Sequence, residues 1–399
     1  MSIKGESISD TQQAKVRMGM VGGGPGAFIG EVHRKAARMD GLADLVAGAF
    51  DIDPAKSLEM GTQLGLDSSR VYNNFEEMIA AENKLAADQR IDFVSICTPN
   101  NWHFPIAKAF LEAGFNVMCE KPVTLNLEEA QQLEEIVKKS GQVFALMHNY
   151  TGYPMVKLAR DMVQQGDLGK ILKIVVQYPQ GWLIHPIERE GQMQAAWRTD
   201  PKQSGAAGCM GDIGTHAENL AEYITGLGIT EMCADLGTFV EGRRLDDDGN
   251  VLLHFEKGAK GLLHASQISI GQENNLAIWV YGEKRSLEWH QEHPNYLYVY
   301  ELDGPVQTWR RGNPYVAAKS EAAGRATRIP AGHPEAFLEA FANNYRNFID
   351  TIQAKKAGRT PNALETDFPG IREGVRGMAF IETVVASGQS AEKWVKLKG

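Results

Sequence analysis

Two short stretches hold residues whose types and spacing could do chemistry. The first, Asn116-Val-Met-Cys-Glu-Lys-Pro-Val-Thr-Leu-Asn126, reads as a short buried strand ending at Glu120-Lys121-Pro122. Pro122 lacks a backbone donor and disfavours the helical region for the residue before it, so the strand stops there. A lysine on such a stiff turn is either a positioned cation or an exposed lysine closing a loop. The second stretch is Gly211-Asp212-Ile213-Gly214-Thr215-His216. If a helix begins before Asp212, then Asp212 and His216 stand four apart and share one face. If Thr215 is the N-cap instead, Thr215-x-x-Glu218 forms a capping box and His216 lies in the first turn. Both cases put the imidazole near the positive end of a helix, which favours its neutral form. A neutral histidine can accept a proton. The plainer alternative makes Asp212 a helix-start residue and His216 a satisfied core histidine.

These residues need a scaffold, and the first half of the chain supplies one. The apolar strand Val16 to Val21 runs into Gly22-Gly23-Gly24-Pro25-Gly26-Ala27-Phe28-Ile29-Gly30, and a helix follows from Ile29 to Met39. Glycines between a strand and a helix let backbone amides approach a pyrophosphate at the helix N-terminus. Gly22, Gly24, Gly26, Ala27, Phe28 and Ile29 are therefore candidate cofactor contacts. Gly22 to Gly30 spans eight positions where G-x-G-x-x-G would span five, so the loop is longer by three. A second strand, Leu45 to Phe50, ends in Asp51, 21 residues after Gly30. An acidic side chain at that distance is placed to accept hydrogen bonds from a ribose diol; the other reading is a turn residue before Pro54. A carboxylate there favours NAD over NADP, and the nearest basic residue along the turn is Lys56, in the next helix.

Strands Ile91 to Cys97, Asn116 to Cys119 and Gln142 to Met147 then alternate with helices Pro54–Leu64, Phe75–Ala81, His103–Ala113 and Leu127–Ser140. Strict alternation implies a doubly wound parallel sheet, and runs such as Phe93-Val94-Ser95-Ile96-Cys97 suit strands buried on both faces. Ligands of such sheets bind at the carboxyl ends of the strands. Thr98, Pro99, Asn100, His103, Glu120 and Lys121 join the candidate cofactor contacts on that ground. His103 taken alone reads as a structural residue opening its helix.

After Tyr150 the pattern changes. A helix from Tyr153 to Gly166 and a strand from Ile171 to Tyr178 precede an irregular segment, Pro179 to Gly208, holding Trp182, His185, Trp197, Arg198 and Lys202. A loop of about thirty residues in a compact domain is more often functional than not. Tryptophan faces suit sugar-ring C–H groups, and Arg198 and Lys202 suit hydroxyls or a carboxylate. The alternative is a covering loop whose tryptophans pack down. Beyond Gly226 come short strands, Met232–Val240, Val251–Phe255, Gly261–Ile270, Ala277–Tyr281, Ser286–Trp289 and Tyr296–Glu301. Turns such as Asp247-Asp248-Gly249-Asn250 and Lys257-Gly258-Ala259-Lys260 separate them, which predicts a largely antiparallel sheet. Its free face is a surface on which subunits pair, as a homodimer or homotetramer. An amphipathic helix spans Pro334 to Lys355, and His333 just before it is a further candidate pocket residue.

The 399 residues accommodate two domains, read as a tail over 1–15, a dinucleotide-binding domain over 16–149 and a second α/β domain over 150–399. A net charge of −9 argues against nucleic acid and anionic membrane, and no apolar run approaches the ~20 residues of a membrane span. The polar stretch Met1 to Ala14 reads as a disordered tail without a signal-peptide core. Cys97, Cys119, Cys209 and Cys233 lie far apart without a Cys-x-x-Cys, as in a cytoplasmic protein with reduced thiols. Asp246-Asp247-Asp248-Gly249 lacks the ligand alternation of a calcium loop, and His290-x-x-His293 lacks a third ligand. Both read as turn and surface residues.

Together the glycine loop, Asp51, Thr98-Pro99, Glu120-Lys121-Pro122 and Asp212-x-Gly-x-His216 resemble the Gfo/Idh/MocA oxidoreductases, the relatives of glucose-fructose oxidoreductase and inositol dehydrogenase. The resemblance covers nearly the whole chain from Arg17. It implies a Rossmann domain followed by an α/β domain with an open, mostly antiparallel sheet. It also implies that Lys121, Asp212 and His216 form the catalytic group. From the loop's own composition, Trp182, Trp197, Arg198 and Lys202 are expected to shape the substrate pocket beside it, with His333 as a further lining residue. The chemistry agrees: His216 is suited to take a hydroxyl proton, Lys121 to stabilise the developing alkoxide, and Asp212 to orient either. No metal is required. The expected activity is NAD-dependent oxidation of a secondary alcohol in a sugar, cyclitol or sugar derivative. The rivals are an NAD-dependent glycoside hydrolase of the same family and a non-catalytic NAD-binding regulator.

Overall fold

The computed structural model describes residues 15–398, so the expected tail up to Ala14 lies outside the described residues. The first sheet contains β1 (Val16–Gly22), β2 (Ala43–Ala49), β3 (Phe93–Cys97), β4 (Asn116–Cys119) and β5 (Phe144–Leu146). Its order is β2-β1-β3-β4-β5 and every pair is parallel. Register puts Gly22 beside Cys97 and Ile96 beside Cys119, so the glycine loop, Thr98 and Glu120 leave the sheet at one edge. The chain turns back between β1 and β3, and that reversal opens the crevice where dinucleotides lie in doubly wound sheets.

Local signals set the helix limits. Asn126 caps the helix Leu127–Ser140 by accepting from Glu129 N at 2.9 Å, and Gly141 ends it at φ 66°. Asp53 likewise accepts from Ala55 N at 2.9 Å, ahead of Pro54 in the first turn of Pro54–Gln63. All five residues of β3 are buried. One face packs Val94, Ile96 and Val117 with Phe110 and Leu133, while the other packs Met18, Met20, Phe93 and Met118 with Phe341 and Phe348. Those two phenylalanines belong to the helix Phe337–Lys356, which returns from the far end of the chain to cover the first sheet.

The second sheet has nine strands: β6 (Ile171–Pro179), β7 (Ile229–Gly237), β8 (Asp248–Phe255), β9 (Lys260–Ser266), β10 (Ala277–Gly282), β11 (Ser286–His290), β12 (Tyr296–Tyr300), β13 (Gln307–Arg310) and β14 (Val395–Lys396). The order is β13-β12-β11-β10-β6-β9-β8-β7-β14, antiparallel except for β6 beside β9. The buried residues of β10 and β12, such as Val280 and Leu297, face a core shared with the helices Pro154–Gln164 and Thr215–Thr225. Register groups Leu252, Leu262, Val175, Trp279, Glu288 and Tyr298 on the opposite face.

Several expectations need correction. Asp248, Gly249 and Asn250 lie inside β8, and the turn precedes them. Asp247 is buried, accepting from Phe239 N and Val240 N at 2.9 Å, so it is no surface residue. His290 lies in β11 with Nε2 2.6 Å from Glu288 Oε1, whereas His293 is exposed. The segment Pro179 to Gly208 is not irregular: it folds a 3-10 turn, Ile187–Glu190, and short helices Met193–Arg198 and Pro201–Ser204. The helix Ile371–Gln389 and strands β13 and β14 had no counterpart in the sequence reading.

Candidate active site

The glycine loop is shaped for close approach. Gly22, Gly23 and Gly26 adopt φ of 81°, 72° and 78°, a region that side chains disfavour. A Cβ on Gly30 would fall 2.4 Å from Gly23 Cα, so this pair sets how tightly the helix Phe28–Arg38 meets β1. A Cβ on Gly24 would sit 2.8 Å from Phe50 O and 3.2 Å from Asp51 Oδ2, which places the carboxylate against the loop. No side chain caps the helix at Ala27, leaving the amides of its first turn free of a side-chain acceptor. Thr98 Oγ1, at the end of β3, is buried with no partner. A glycine cradle, uncapped helix amides, an acid at the end of β2 and an unpaired hydroxyl fit NAD. Arg34, which sequence spacing did not mark, donates from Nη1 to Gly23 O at 2.8 Å.

Glu120 and His103 hold the strand ends. Glu120 Oε1 lies 2.7 Å from His33 Nε2, and its Oε2 accepts from Lys121 N at 3.1 Å. Burial opposes charge on His33, but Cys97 and Tyr345, and after them the bond to Glu120, outweigh it and raise the ring well above the usual histidine range. Tyr345 O–H stands 2.6 Å from His33 Nδ1 and 2.9 Å from Ser95 Oγ, closing a buried knot beneath Lys121. The ring nitrogens of His103 lie 2.6 Å from Pro122 O and 3.0 Å from Thr98 O, so it ties two loops together. Asn100 Nδ2 donates to Ser204 O at 3.0 Å, binding the β3 edge to the second domain. Pro99 precedes Asn100 at the same edge.

Lys121, Asp212 and His216 converge. The helix carrying the last two begins before Asp212, as a wide π turn over Met210–Gly214 that runs into Thr215–Thr225. Thr215 has helical backbone angles, so it is not the N-cap. Asp246 does the capping, accepting from Gly208 N at 2.8 Å and Met210 N at 2.7 Å. A π turn displaces backbone carbonyls from their usual partners, and here Asp212 O accepts from Lys121 Nζ at 2.6 Å. The ammonium also donates to Asp212 Oδ1 at 2.9 Å. Asp212 Oδ2 accepts from Arg198 Nε at 3.1 Å and from Gln267 Nε2 at 2.8 Å. Burial would raise the Asp212 carboxyl, but Lys121 and Arg198 reverse that and hold it far below the usual carboxylate range.

His216 is buried with Nδ1 3.4 Å from Nδ1 of His148. Burial first, then repulsion by Lys121, pushes His216 well below the usual histidine value, and the same two causes push His148 down to about 3. Both rings are neutral, so one Nδ1 carries a hydrogen and the other accepts it. The ring of Tyr150 stands 4.8 Å from that of His216. Its hydroxyl meets that of Tyr178, which donates to Asn274 Oδ1 at 2.6 Å. Gln180 Nε2 donates to the same oxygen at 2.7 Å, and Trp182 Nε1 donates to Gln180 Oε1 at 3.0 Å. The guanidinium of Arg198 lies 4.2 Å from the Trp197 ring and 5.9 Å from the Trp182 ring. Lys202 is exposed, and no described contact joins its ammonium to this cluster. His333 is exposed as well; its carbonyl accepts from Arg311 Nη2. Sequence reasoning missed His148, Tyr150, Tyr178, Gln180, Gln267 and Asn274, whose partners lie mostly far away in the sequence.

Comparison with known proteins agrees with this fold. The model of the oxidoreductase family with an NAD-binding Rossmann fold matches residues 16–148, and that of the GFO/IDH/MocA C-terminal domain matches 156–288. The chain is 35% identical to the uncharacterized oxidoreductase YfiI of Bacillus subtilis, over 100% of both chains. It is similar to an inositol dehydrogenase homolog from Azotobacter vinelandii solved with NAD+, at 38% identity and TM-score 0.91 over 96% of this chain and 98% of that one. An inositol dehydrogenase homolog from the same organism with NADH and myo-inositol gives 36% identity and TM-score 0.88, over the same shares. With matches over both halves and a full-length relative, the chain belongs to the Gfo/Idh/MocA family of NAD-binding oxidoreductases.

Proposed function

We propose that the protein oxidises a secondary alcohol of a cyclitol, a sugar or a sugar derivative, with Lys121, Asp212 and His216 as its catalytic group. The observation that carries this reading is the ammonium of Lys121, held 2.9 Å from Asp212 Oδ1 at the sheet edge, with a neutral His216 on the same helix. NAD, when bound, supplies the hydride acceptor. Amides of Gly22, Gly24, Gly26, Ala27, Phe28 and Ile29 hold its phosphates, Asp51 its ribose, and Thr98, Pro99 and Asn100 the wall of the cleft. Lys121 uses two N–H bonds on Asp212 and keeps a third for the substrate oxygen, whose negative charge it stabilises. His216 takes the hydroxyl proton; Asp212, already neutralised by two cations, orients Lys121 and does not act as base. Trp182, Trp197 and Arg198 form a wall suited to ring C–H groups and hydroxyls. Similarity to a protein solved with myo-inositol supports a polyhydroxylated ring as substrate.

The aromatic face of the second sheet, with Trp279, Tyr281, Tyr296 and Tyr298, supports pairing of subunits there. The test of the activity is a panel of cyclitols and sugars with NAD, read at the NADH absorbance band. Accumulating NADH with one of them is the expected result. Cleavage of a glycoside without net NADH would replace this reading with the hydrolase, and the absence of any turnover would favour a regulator.

A further inference from the structure

The helix Met193–Arg198 and the turn after it cross from the second domain to the carboxyl edge of the first. Two anchors hold them, one on each side of the β1/β3 crevice. On the β1 side, Met193 Cε lies 3.4 Å from where a Cβ on Gly26 would stand. On the β3 side, Ser204 O accepts from the buried Asn100 Nδ2 at 3.0 Å. The span is braced internally: Gln192 caps the first helix by accepting from Ala195 N at 2.6 Å, and Asp200 caps the second by accepting from Lys202 N at 3.2 Å. Met193 is 56% exposed, so it is no part of the hydrophobic core and its place over Gly26 needs another cause. The same helix ends at Arg198, whose Nε is bonded to Asp212 Oδ2.

We propose that Met193 to Ser204 is a strap that closes over the dinucleotide between the glycine loop and the β3 edge. Met193 is its cofactor-holding side chain. A dinucleotide in the crevice must pass beneath the strap, so cofactor leaves only when an anchor opens. Met193 gives the thioether contact over the phosphate-binding loop, and its flexible chain adapts to what lies beneath. The inference rests on the family's use of NAD and adds to it a rate of cofactor release set by a segment of the second domain.

The experiment follows NADH release from the full-length protein by stopped-flow fluorescence, with excess NAD as the displacing ligand. Met193→Ala should speed release about three- to tenfold, the loss of the apolar contact between one side chain and the cofactor beneath it. The melting temperature of the NAD-free variant should stay that of the wild type. Met193→Leu, which keeps the bulk, should restore slow release. An unchanged rate in Met193→Ala overturns the strap, as does a faster rate that leucine fails to restore. A wild type that binds no NADH overturns both the strap and the use of NAD, which separates the two failures.

Discussion

Lys121 Nζ lies 2.9 Å from Asp212 Oδ1 and 2.6 Å from the carbonyl of the same residue, across 91 positions of sequence. One cation thus reads both the side chain and the main chain of the π turn, which fixes its height above the sheet edge. Lys121→Ala should lower turnover by on the order of 10³-fold or more, because it removes the donor to the developing alkoxide. NAD should still bind, since the glycine loop and Asp51 are untouched. Near wild-type turnover, measured alongside NAD binding by fluorescence, would take Lys121 out of the mechanism.

His216→Ala tests the proton acceptor. On the order of 10²- to 10⁴-fold loss in turnover is expected for an acid/base residue. A loss below about tenfold would fit a core histidine that packs between Tyr150 and His148.

The first sheet was readable because its strands are buried on both faces and punctuated by glycine, proline and aspartate. Phe93–Cys97 and the eight positions from Gly22 to Gly30 are of this kind. Lys121, Asp212 and His216 stood out as candidates because Pro122 stops the strand after Lys121, Gly211 precedes Asp212, and His216 follows Asp212 at one helical turn. Asp246 was hidden: its role as a cap depends on a contact 36 residues away from Met210, which no local pattern reveals. The helix Ile371–Gln389 was hidden by its glycines, which lower helix propensity. The fold needs one of them, because a Cβ on Gly374 would meet Val123 at 2.9 Å. β14 has two residues and exists only because β7 is there to pair with it.

Acid should destabilise the protein through its buried neutral histidines. Burial depresses His103, His148 and His216 below the value each has when unfolded. Below about pH 6.5 the unfolded chain therefore binds protons that the folded chain refuses, and stability falls as pH falls. The slope is about 1.4 kcal/mol per pH unit for each such group until its folded value is reached. His33 has the opposite sign, its raised value adding stability that is lost as pH rises through that value. Urea titrations at intervals from pH 7 to 5 should show the loss, and His148→Asn should lessen its slope. A flat profile over this range would mean that the rings titrate normally.

Asp246→Ala should cost about 1 kcal/mol as a lost cap. It should also reduce turnover, because Gly208 N and Met210 N would lose the acceptor that sets the turn carrying Asp212. Unchanged turnover at reduced stability would confine Asp246 to folding.

Asp51 is the residue on which the choice of nicotinamide cofactor is expected to turn. Its carboxylate stands 3.2 Å from where a Cβ on Gly24 would be, and its Oδ1 accepts from Asp53 N at 2.9 Å. The acid is therefore oriented beside the phosphate loop, where it can accept from a ribose 2′-hydroxyl and would repel a 2′-phosphate. Arg34, the arginine nearest the loop in sequence, is engaged by Gly23 O at 2.8 Å. Two unit charges about 4 Å apart repel by roughly 4 kcal/mol at an effective dielectric near 20. Counterions and rearrangement reduce that, yet about 1.4 kcal/mol already gives tenfold discrimination. A kcat/KM at least about tenfold higher with NAD than with NADP is expected, and Asp51→Ser should narrow the gap. Equal efficiency with the two cofactors would leave Asp51 as the residue that orders the turn into Pro54–Gln63 and nothing more.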